Sequence, residues 1–308
     1  MKDRYSKISL LRLCWLLGIT RQAYYQYGWR SQVASIEEEL VLQQVLAIRA
    51  NHRRMGGRKL YEMLEPFMLE HQIKMGRDGL FNLLADNCLL VKRRKRSVRT
   101  TQSNHWLRKY PNRIKEFIPK SPNELWVSDI TYLKTPKCFL YISLVTDAYS
   151  HKIVGHHIAE SLEGLQTIQA LKMALQMHQK SAKKLIHHSD RGVQYCSADY
   201  VKLLQENNIA ISMTESGDPR ENAVAERING IIKGEYMDLY KIISLSQGKQ
   251  CLQDAVYLYN DERPHMSIGM LTPQNVHENN LEVENLWKKP RKVIPALHSV
   301  GLVKRGPT

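Results

Sequence analysis

The chain has 308 residues, of which 43% are hydrophobic and 24% are charged. This is the composition of a soluble globular protein, and the length favours two or three domains over one compact core. No apolar stretch approaches the ~20 residues needed to span a bilayer, which argues against a membrane protein. The formal net charge of +15 indicates a polyanionic partner, although a basic but inert surface is the alternative interpretation.

The cysteines give information about the cellular compartment. They are scattered, form no CxxC pair, and occur at Cys14, Cys88, Cys138, Cys196 and Cys251. This pattern predicts a reducing cytoplasm rather than a disulfide scaffold or a zinc site.

Residues 1–30 predict a helix-turn-helix-like segment. The apolar face of its first helix would consist of Leu13, Leu16 and Leu17. Gly18 suits a left-handed turn, and Thr20 can cap a second helix that carries Arg21, a candidate DNA contact. A plain helical hairpin explains the same pattern equally well.

Residues 35–97 predict a helical DNA-binding domain. A capping box of Ser35 and Glu38 should begin its first helix. The stretch "GGRKLYEMLEPF" predicts a second helix that stops near Pro66, and "MGRDGLFNLLADNCLL" predicts a third. The basic run "VKRRKRSVR" (91–99) contains no acidic residue, so we expect it to neutralise phosphates. Its candidate DNA contacts are Lys92, Arg93, Arg94, Lys95 and Arg96. A helical dimerisation module is the alternative interpretation.

Residues 98–120 predict a basic linker, after which the pattern changes. The runs "ELWVSDITYLK", "KCFLYISLVTDAYS" and "HKIVGHHIA" predict three consecutive antiparallel strands. They are followed by a helix, the strand "KKLIHHSD", a second helix, the strand "AISMTES" and a further helix. This order predicts an α/β core over residues 121–285, with a mixed five-stranded sheet and its fourth strand beside the first. Residues 286–308 predict a basic tail.

Two carboxylates fall where that sheet would bring them together. Asp129 lies inside the first strand, although aspartate is a poor strand former. Asp190 ends the fourth strand. Neighbouring carboxylates repel each other, and a divalent cation with a preference for hard oxygen ligands, such as magnesium, would remove the repulsion.

A third carboxylate is predicted on the helix that follows the fifth strand. Asp218 as N-cap and Pro219 at the first helical position should begin this helix. Its apolar face would consist of Val224, Ile228, Ile231 and Ile232. Glu226 falls on the opposite face, where its neighbours are Asn222, Asn229 and Lys233. An ordinary solvated glutamate is the alternative interpretation.

The order Asp129, Asp190 and Glu226, with 35 residues between 190 and 226, resembles the DDE triad of the retroviral-integrase superfamily. The stretches "WVSDIT", "HHSDRGVQY", "ENAVAERINGIIK" and "YNDERPHMSIGMLTP" look like the second reading-frame product of bacterial insertion sequences of the IS-three group. The resemblance covers nearly the whole chain and is looser through about residue 97. There, "NHRRMGGRKL" departs from the Tyr-Gly-Tyr-like stretch expected in that group.

The resemblance implies an RNase H-like catalytic core preceded by an all-α helix-turn-helix region. It implies a DNA transposase in which Asp129, Asp190 and Glu226 hold two Mg²⁺ ions, for which Mn²⁺ can substitute. Its partners would be double-stranded DNA, as terminal inverted repeats and target, further copies of itself on paired ends, and an upstream-frame product. Its location would be the nucleoid of a bacterial cytoplasm, with no membrane partner. A catalytically degenerate DNA-binding regulator and a simple RNase H-type nuclease are the alternative functions.

Several residues near these motifs allow both a functional and a structural role. Lys233 and Asn222 are candidate DNA contacts, and a surface lysine and a structural amide are the alternatives. For His187 and His188 we expect packed strand histidines rather than neighbours of a metal. Asp147 is expected to be a turn residue. The "YNDERPH" stretch is expected to pack on the core rather than to contact DNA.

Overall fold

The structure is a computed structural model that describes residues 8–92, 106–136, 138–161, 164–178, 184–215 and 219–283. Within these ranges the α-helices are α1 (Leu10–Leu16), α2 (Arg21–Asn51), α3 (Gly57–Glu70), α4 (Arg77–Asp86), α5 (Gly164–Met177), α6 (Val193–Cys196), α7 (Ala198–Glu206), α8 (Ala223–Ile231), α9 (Leu245–Tyr257) and α10 (Pro273–Asn279). The strands are β1 (Leu125–Lys134), β2 (Phe139–Asp147), β3 (Ile153–Ala159), β4 (Ile186–Ser189) and β5 (Ala210–Met213). No helix of the described part is long and apolar enough to cross a membrane.

The five strands form one mixed sheet in the order β3-β2-β1-β4-β5. The pairs β1–β2 and β2–β3 are antiparallel, whereas β1–β4 and β4–β5 are parallel. This arrangement confirms the predicted mixed sheet and the position of the fourth strand beside the first. It is the sheet order of an RNase H-like core.

Helices cover both faces of the sheet. On one face, Trp126 and Val154 share an apolar cluster with Leu171 of α5. On the other face, α8 and α9 contribute to a second cluster around Ile142. The close approach of α5 to β3 requires Gly155, because a Cβ atom there would overlap the carbonyl oxygen of Ala170.

In the amino-terminal helices, the predicted turn at Gly18 is confirmed, but the predicted helix start at Ser35 is not. Gly18 has a φ of 65°, and Thr20 Oγ1 accepts a 3.0 Å hydrogen bond from the N–H of Ala23. The prediction that a helix begins at Ser35 is wrong, because α2 continues unbroken through this position. A capping side chain contributes only about 1 kcal/mol and does not interrupt a helix whose backbone bonds continue through it.

The predicted stop near Pro66 is also wrong, because α3 continues to Glu70. A proline inside a helix removes one backbone hydrogen bond. Here the helix is held by Leu60, Leu64 and Met68, which are buried in a core shared with α2 and α4. Tertiary packing therefore outweighs the local cost of the proline.

The described part of the predicted linker, residues 106–120, lies against the catalytic core. Tyr110 and Phe117 pack on two different apolar clusters of that core. The N–H of Arg113 donates to Ser212 Oγ at 2.9 Å. The segment has no helical or strand periodicity, so its few apolar anchors gave no pattern in the sequence.

A buried polar network connects the helical region to the core. The ring of His52, which follows α2, lies 3.1 Å from the hydroxyl of Tyr236 and 3.0 Å from Glu262 Oε2. Arg263 is 1% exposed and donates to both carboxylate oxygens of Glu235, at 2.9 and 2.7 Å. This burial confirms that the "YNDERPH" stretch packs on the core.

Candidate active site

The parallel register of β1 and β4 brings Asp129 and Asp190 together. Ser128 is paired with Ser189, so the two aspartates are the next residues on neighbouring backbones. Adjacent strands lie about 4.8 Å apart. The strand β4 ends at this point, and Asp190 Oδ1 accepts a 2.9 Å hydrogen bond from the N–H of Gly192. The site therefore opens where β4 stops and β1 continues.

The helix α8 lies over this end of the sheet. It begins at Ala223, after a 3₁₀ turn at Pro219–Asn222, so the predicted helix start at Pro219 is wrong by one turn. The predicted cap, Asp218, lies outside the described residues. Ala225 packs against the core of β1, which leaves Glu226 half-buried at the helix edge.

Asn229 connects this helix to the first aspartate. Its Nδ2 donates a 2.9 Å hydrogen bond to Asp129 Oδ2, while the N–H of Ile130 donates to Oδ1. Sequence reasoning placed Asn229 beside Glu226 but assigned it no role. The spacing of three residues from Glu226, which puts both on one helix face, was the available signal.

The carboxylates share one electrostatic environment. The pKa of Asp129 is raised to about 7, mainly by burial and then by the negative charge of Asp190, with a smaller contribution from Glu226. The hydrogen bonds from Asn229 and Ile130 act in the opposite direction. In the part of the chain that the structure describes, no three His, Cys, Asp or Glu side chains form a ready-made metal cluster.

Asn222 differs from the expectation of a DNA contact. Its side chain is 6% exposed, and Nδ2 donates a 3.0 Å hydrogen bond to the carbonyl of Ser128. The amide holds the beginning of α8 against β1, directly beside Asp129. Its position at the joint between the 3₁₀ turn and the helix explains this burial.

Lys233 lies in a π-helical turn, Ile232–Tyr236, that continues from α8. Its Nζ atom stands 4.2 Å from the centre of the Tyr132 ring on β1. The lysine is half-buried. Its partner Tyr132 is three residues from Asp129 along β1. Its contact with DNA stays a prediction.

The two histidines before Asp190 are packed strand residues, as expected. His187 Nε2 lies 2.8 Å from Ser128 Oγ, and His188 Nδ1 lies 2.8 Å from Ser212 Oγ. Burial lowers the pKa of His187 to about 3 and that of His188 to about 4. Both rings are therefore neutral at physiological pH.

Asp147 is the turn residue that the sequence predicts. It is fully buried, and its carboxylate accepts 2.7 Å hydrogen bonds from the N–H groups of Ser150 and Asn123. The bond from Ser150 closes the connection between β2 and β3, and the bond from Asn123 ties this turn to the segment before β1.

The predicted DNA contacts of the helical region are only partly described. Arg21 is exposed at the first position of α2, and Lys92 is exposed at the end of a described range. The others lie outside the described residues: Arg93, Arg94, Lys95 and Arg96. Their roles stay predictions.

Comparison with known proteins places this geometry in a family. Two family models described as "Integrase core domain" match residues 119–219 and 207–273. These ranges include β1, β4 and α8 together. An uncharacterized 31 kDa protein of insertion element IS600 from Shigella sonnei is 31% identical over 268 residues, which cover 86% of this chain and 97% of that relative.

The transposase for insertion sequence element IS629, also from Shigella sonnei, is 34% identical over 223 residues, covering 72% of this chain and 73% of the relative. The chain belongs to the integrase-core transposases of bacterial insertion sequences. The transposase InsF for insertion sequence IS3A of Escherichia coli K12 is 26% identical and covers 91% of this chain and 98% of its own length. This transposase is therefore a polynucleotidyl transferase with an RNase H-like core, as the resemblance implied.

Proposed function

We propose that this transposase nicks and joins DNA strands at the ends of an insertion sequence, with Asp129, Asp190 and Glu226 as its catalytic carboxylates. The observation that supports this is the raised pKa of Asp129, to which burial, Asp190 and Glu226 all contribute. Carboxylates with a raised pKa that meet at the end of a strand are typical of a reactive site.

The same three side chains would hold two magnesium ions. Carboxylate oxygens are the hard donors that Mg²⁺ prefers, and Mn²⁺ accepts the same donors. The elevated pKa of Asp129 fits this role, because it reflects negative charge that a divalent cation would neutralise. Bound magnesium would activate the attacking water or 3′-hydroxyl and stabilise the leaving oxygen.

The chain's own residues would orient the reacting strand. Asn229 and the N–H of Ile130 fix the carboxylate of Asp129 from two sides, so that it faces Asp190. Lys233, beside Tyr132, would hold a phosphate as a point charge.

In the first reaction, water cleaves a phosphodiester bond at the element's end and leaves a 3′-hydroxyl. In the second, that hydroxyl attacks a target phosphodiester, one bond forming as another breaks. Because each joining step conserves a phosphodiester, no nucleotide cofactor is required.

DNA would be held mainly outside the catalytic core. We assign terminal-repeat and target binding to Arg21 and to the basic run, within the helix-turn-helix-like segment (1–30) and the helical domain (35–97). The net charge of +15 supports a polyanionic partner. Pairing two DNA ends requires at least two copies of the chain.

A strand-transfer assay tests the proposal with labelled terminal repeats, a target plasmid and Mg²⁺ or Mn²⁺. Joined products are expected. Cleavage without joining would instead favour a simple nuclease, and DNA binding without cleavage would favour a regulator.

Asp190→Asn should abolish nicking and joining while DNA binding is retained. Asp199→Asn, which alters an exposed aspartate on α7, is the matched control and should remain active. Joining by Asp190→Asn at the wild-type rate would remove the assignment of the site.

A further inference from the structure

The amino-terminal half of α2 carries large apolar side chains that the described fold leaves exposed. None of residues 21–29 and 34–40 is buried, and α2 enters its apolar core only from Val41 onward. Five large apolar side chains are exposed in this half of α2. Tyr27 lies on the opposite side of the helix, and we call the other four the α2 stripe. The exposed fractions are 57% for Tyr25, 66% for Trp29, 62% for Ile36 and 36% for Leu40.

The α2 stripe occupies a single side of the helix. At 3.6 residues per turn, its four members fall within an arc of about 60° and extend over roughly 22 Å. Val41 and Val45, which enter the core, point about 130° and 170° away from the centre of this arc. Exposed apolar side chains grouped on one side of a helix in a soluble protein indicate an interaction site. A long helix also depends on packing of its apolar face for stability.

We propose that the α2 stripe pairs with the α2 stripe of a second copy of this chain, in antiparallel orientation. The stripe is symmetric about the point between residues 32 and 33. An antiparallel copy therefore sets Tyr25 opposite Leu40 and Trp29 opposite Ile36. Each contact then combines an aromatic with an aliphatic side chain, so the two helices can approach evenly. A parallel copy would instead set the two Trp29 side chains against each other.

The charges along α2 support the same orientation. Residues 37–39 are three consecutive glutamates. The antiparallel pair sets them opposite residues 26–28, which contain no acid and lie between Arg21 and Arg30 in the sequence. A parallel pair would bring the two glutamate runs side by side, where like charges repel each other.

This interface acts on the assembly of the protein rather than on its chemistry. It joins two copies through their helical regions before DNA is bound. The catalytic carboxylates take no part in it, so the interface can fail while the proposed nicking and joining stand, and the reverse is also true.

The oligomeric state of the full chain without DNA tests the proposal. Sedimentation equilibrium should show a dimer for the wild type. Trp29→Glu and Ile36→Glu should each weaken it by at least about 30-fold, the effect of losing a central interface side chain. Leu69→Glu, at a position on α3 that is 79% exposed, adds the same charge outside the stripe and should leave the dimer intact. Far-ultraviolet circular dichroism checks that each variant is folded.

Disulfide trapping tests the orientation. In a chain whose exposed Cys88 and Cys138 are replaced by serine, Tyr25→Cys and Leu40→Cys are prepared separately. A disulfide-linked dimer should form only when the two variants are mixed.

Three results would overturn the proposal. They are a monomeric wild type, a dimer that Trp29→Glu does not weaken, and efficient self-linking of Tyr25→Cys alone, which would indicate a parallel pair. A monomer whose DNA affinity falls on Trp29→Glu would assign the stripe to DNA instead.

Discussion

Asp129→Asn should make the metal-free protein more stable, although it removes a carboxylate that we propose to be catalytic. The carboxylate of Asp129 is withdrawn from water beside Asp190, so its ionised form is costly in the folded protein. Asparagine has nearly the same shape and carries no charge. Its single side-chain oxygen can accept from Asn229 or from the N–H of Ile130 but not from both, so one hydrogen bond worth about 1 kcal/mol is lost.

The magnitude follows from the pKa. Folding raises it from an ordinary 3.8 to about 7. A shift of about three units corresponds to about 4 kcal/mol at most. The carboxylate is largely but not fully buried, so solvent screening and the lost hydrogen bond together reduce the expected gain in unfolding free energy to about 2 to 3 kcal/mol.

The pH dependence has a definite sign. Because the folded pKa is the higher one, the ionisation penalty is absent below about pH 4, grows between about pH 4 and pH 7, and is constant above. The stabilisation by Asp129→Asn should therefore be at least about two to three times larger at pH 8 than at pH 5, since the lost hydrogen bond costs the same at both pH values.

Thermal unfolding in the presence of EDTA measures this effect. At about 2 to 4 °C per kcal/mol, the melting temperature at pH 8 should rise by about 5 to 10 °C. Glu70→Gln removes an exposed acid at the end of α3 and should change it little. An unchanged or lower melting temperature for Asp129→Asn at pH 8, or a gain equal at both pH values, would refute the reasoning.

Three further perturbations test other parts of the structure. Arg263→Met should lower the unfolding free energy by about 3 to 5 kcal/mol, because it leaves Glu235 without its buried partner; chemical denaturation measures this. Gly155→Ala should cost about 3 kcal/mol or more, measured in the same way, because the added methyl group overlaps the backbone of α5. Alanine at the three arginines of the basic run at positions 93, 94 and 96 should lower the slope of log affinity against log salt by up to about 3, measured by fluorescence anisotropy with duplex DNA.

The first two of these have a control in the same chain. The double variant of Arg263→Met with Glu235→Gln should recover part of the lost stability, since no lone charge remains. Gly79→Ala, where the nearest atom to the added methyl would be a flexible methionine carbon at 3.4 Å, should be tolerated. An unchanged unfolding free energy in Arg263→Met or Gly155→Ala would contradict the corresponding packing argument. An unchanged salt slope for the variant of the basic run would contradict its contact with phosphates.

Local sequence signals determined the order of the elements and the candidate carboxylates. Runs rich in β-branched and aromatic residues marked β1, β2 and β3 because such side chains pack well on a pleated sheet. Gly18 and Thr20 marked the first turn because their backbone and side-chain preferences act within a few residues. Asp129 and Asp190 stood out because a carboxylate conflicts with the apolar pattern of a strand, whereas Glu226 was singled out by its spacing from Asp190, which resembles the DDE triad.

Only the tertiary structure decided the contacts that cross the chain. Local signals predicted breaks at Ser35 and Pro66, but α2 and α3 continue through these residues. No local signal predicts the bond from Asn229 to Asp129 or the buried network around Arg263, because each joins segments that are far apart in the sequence. A capping or proline signal is worth only about 1 to 3 kcal/mol, and packing several side chains into a shared core can exceed it. The raised pKa of Asp129 has the same origin, since burial and the charge of Asp190 arise only when distant segments meet.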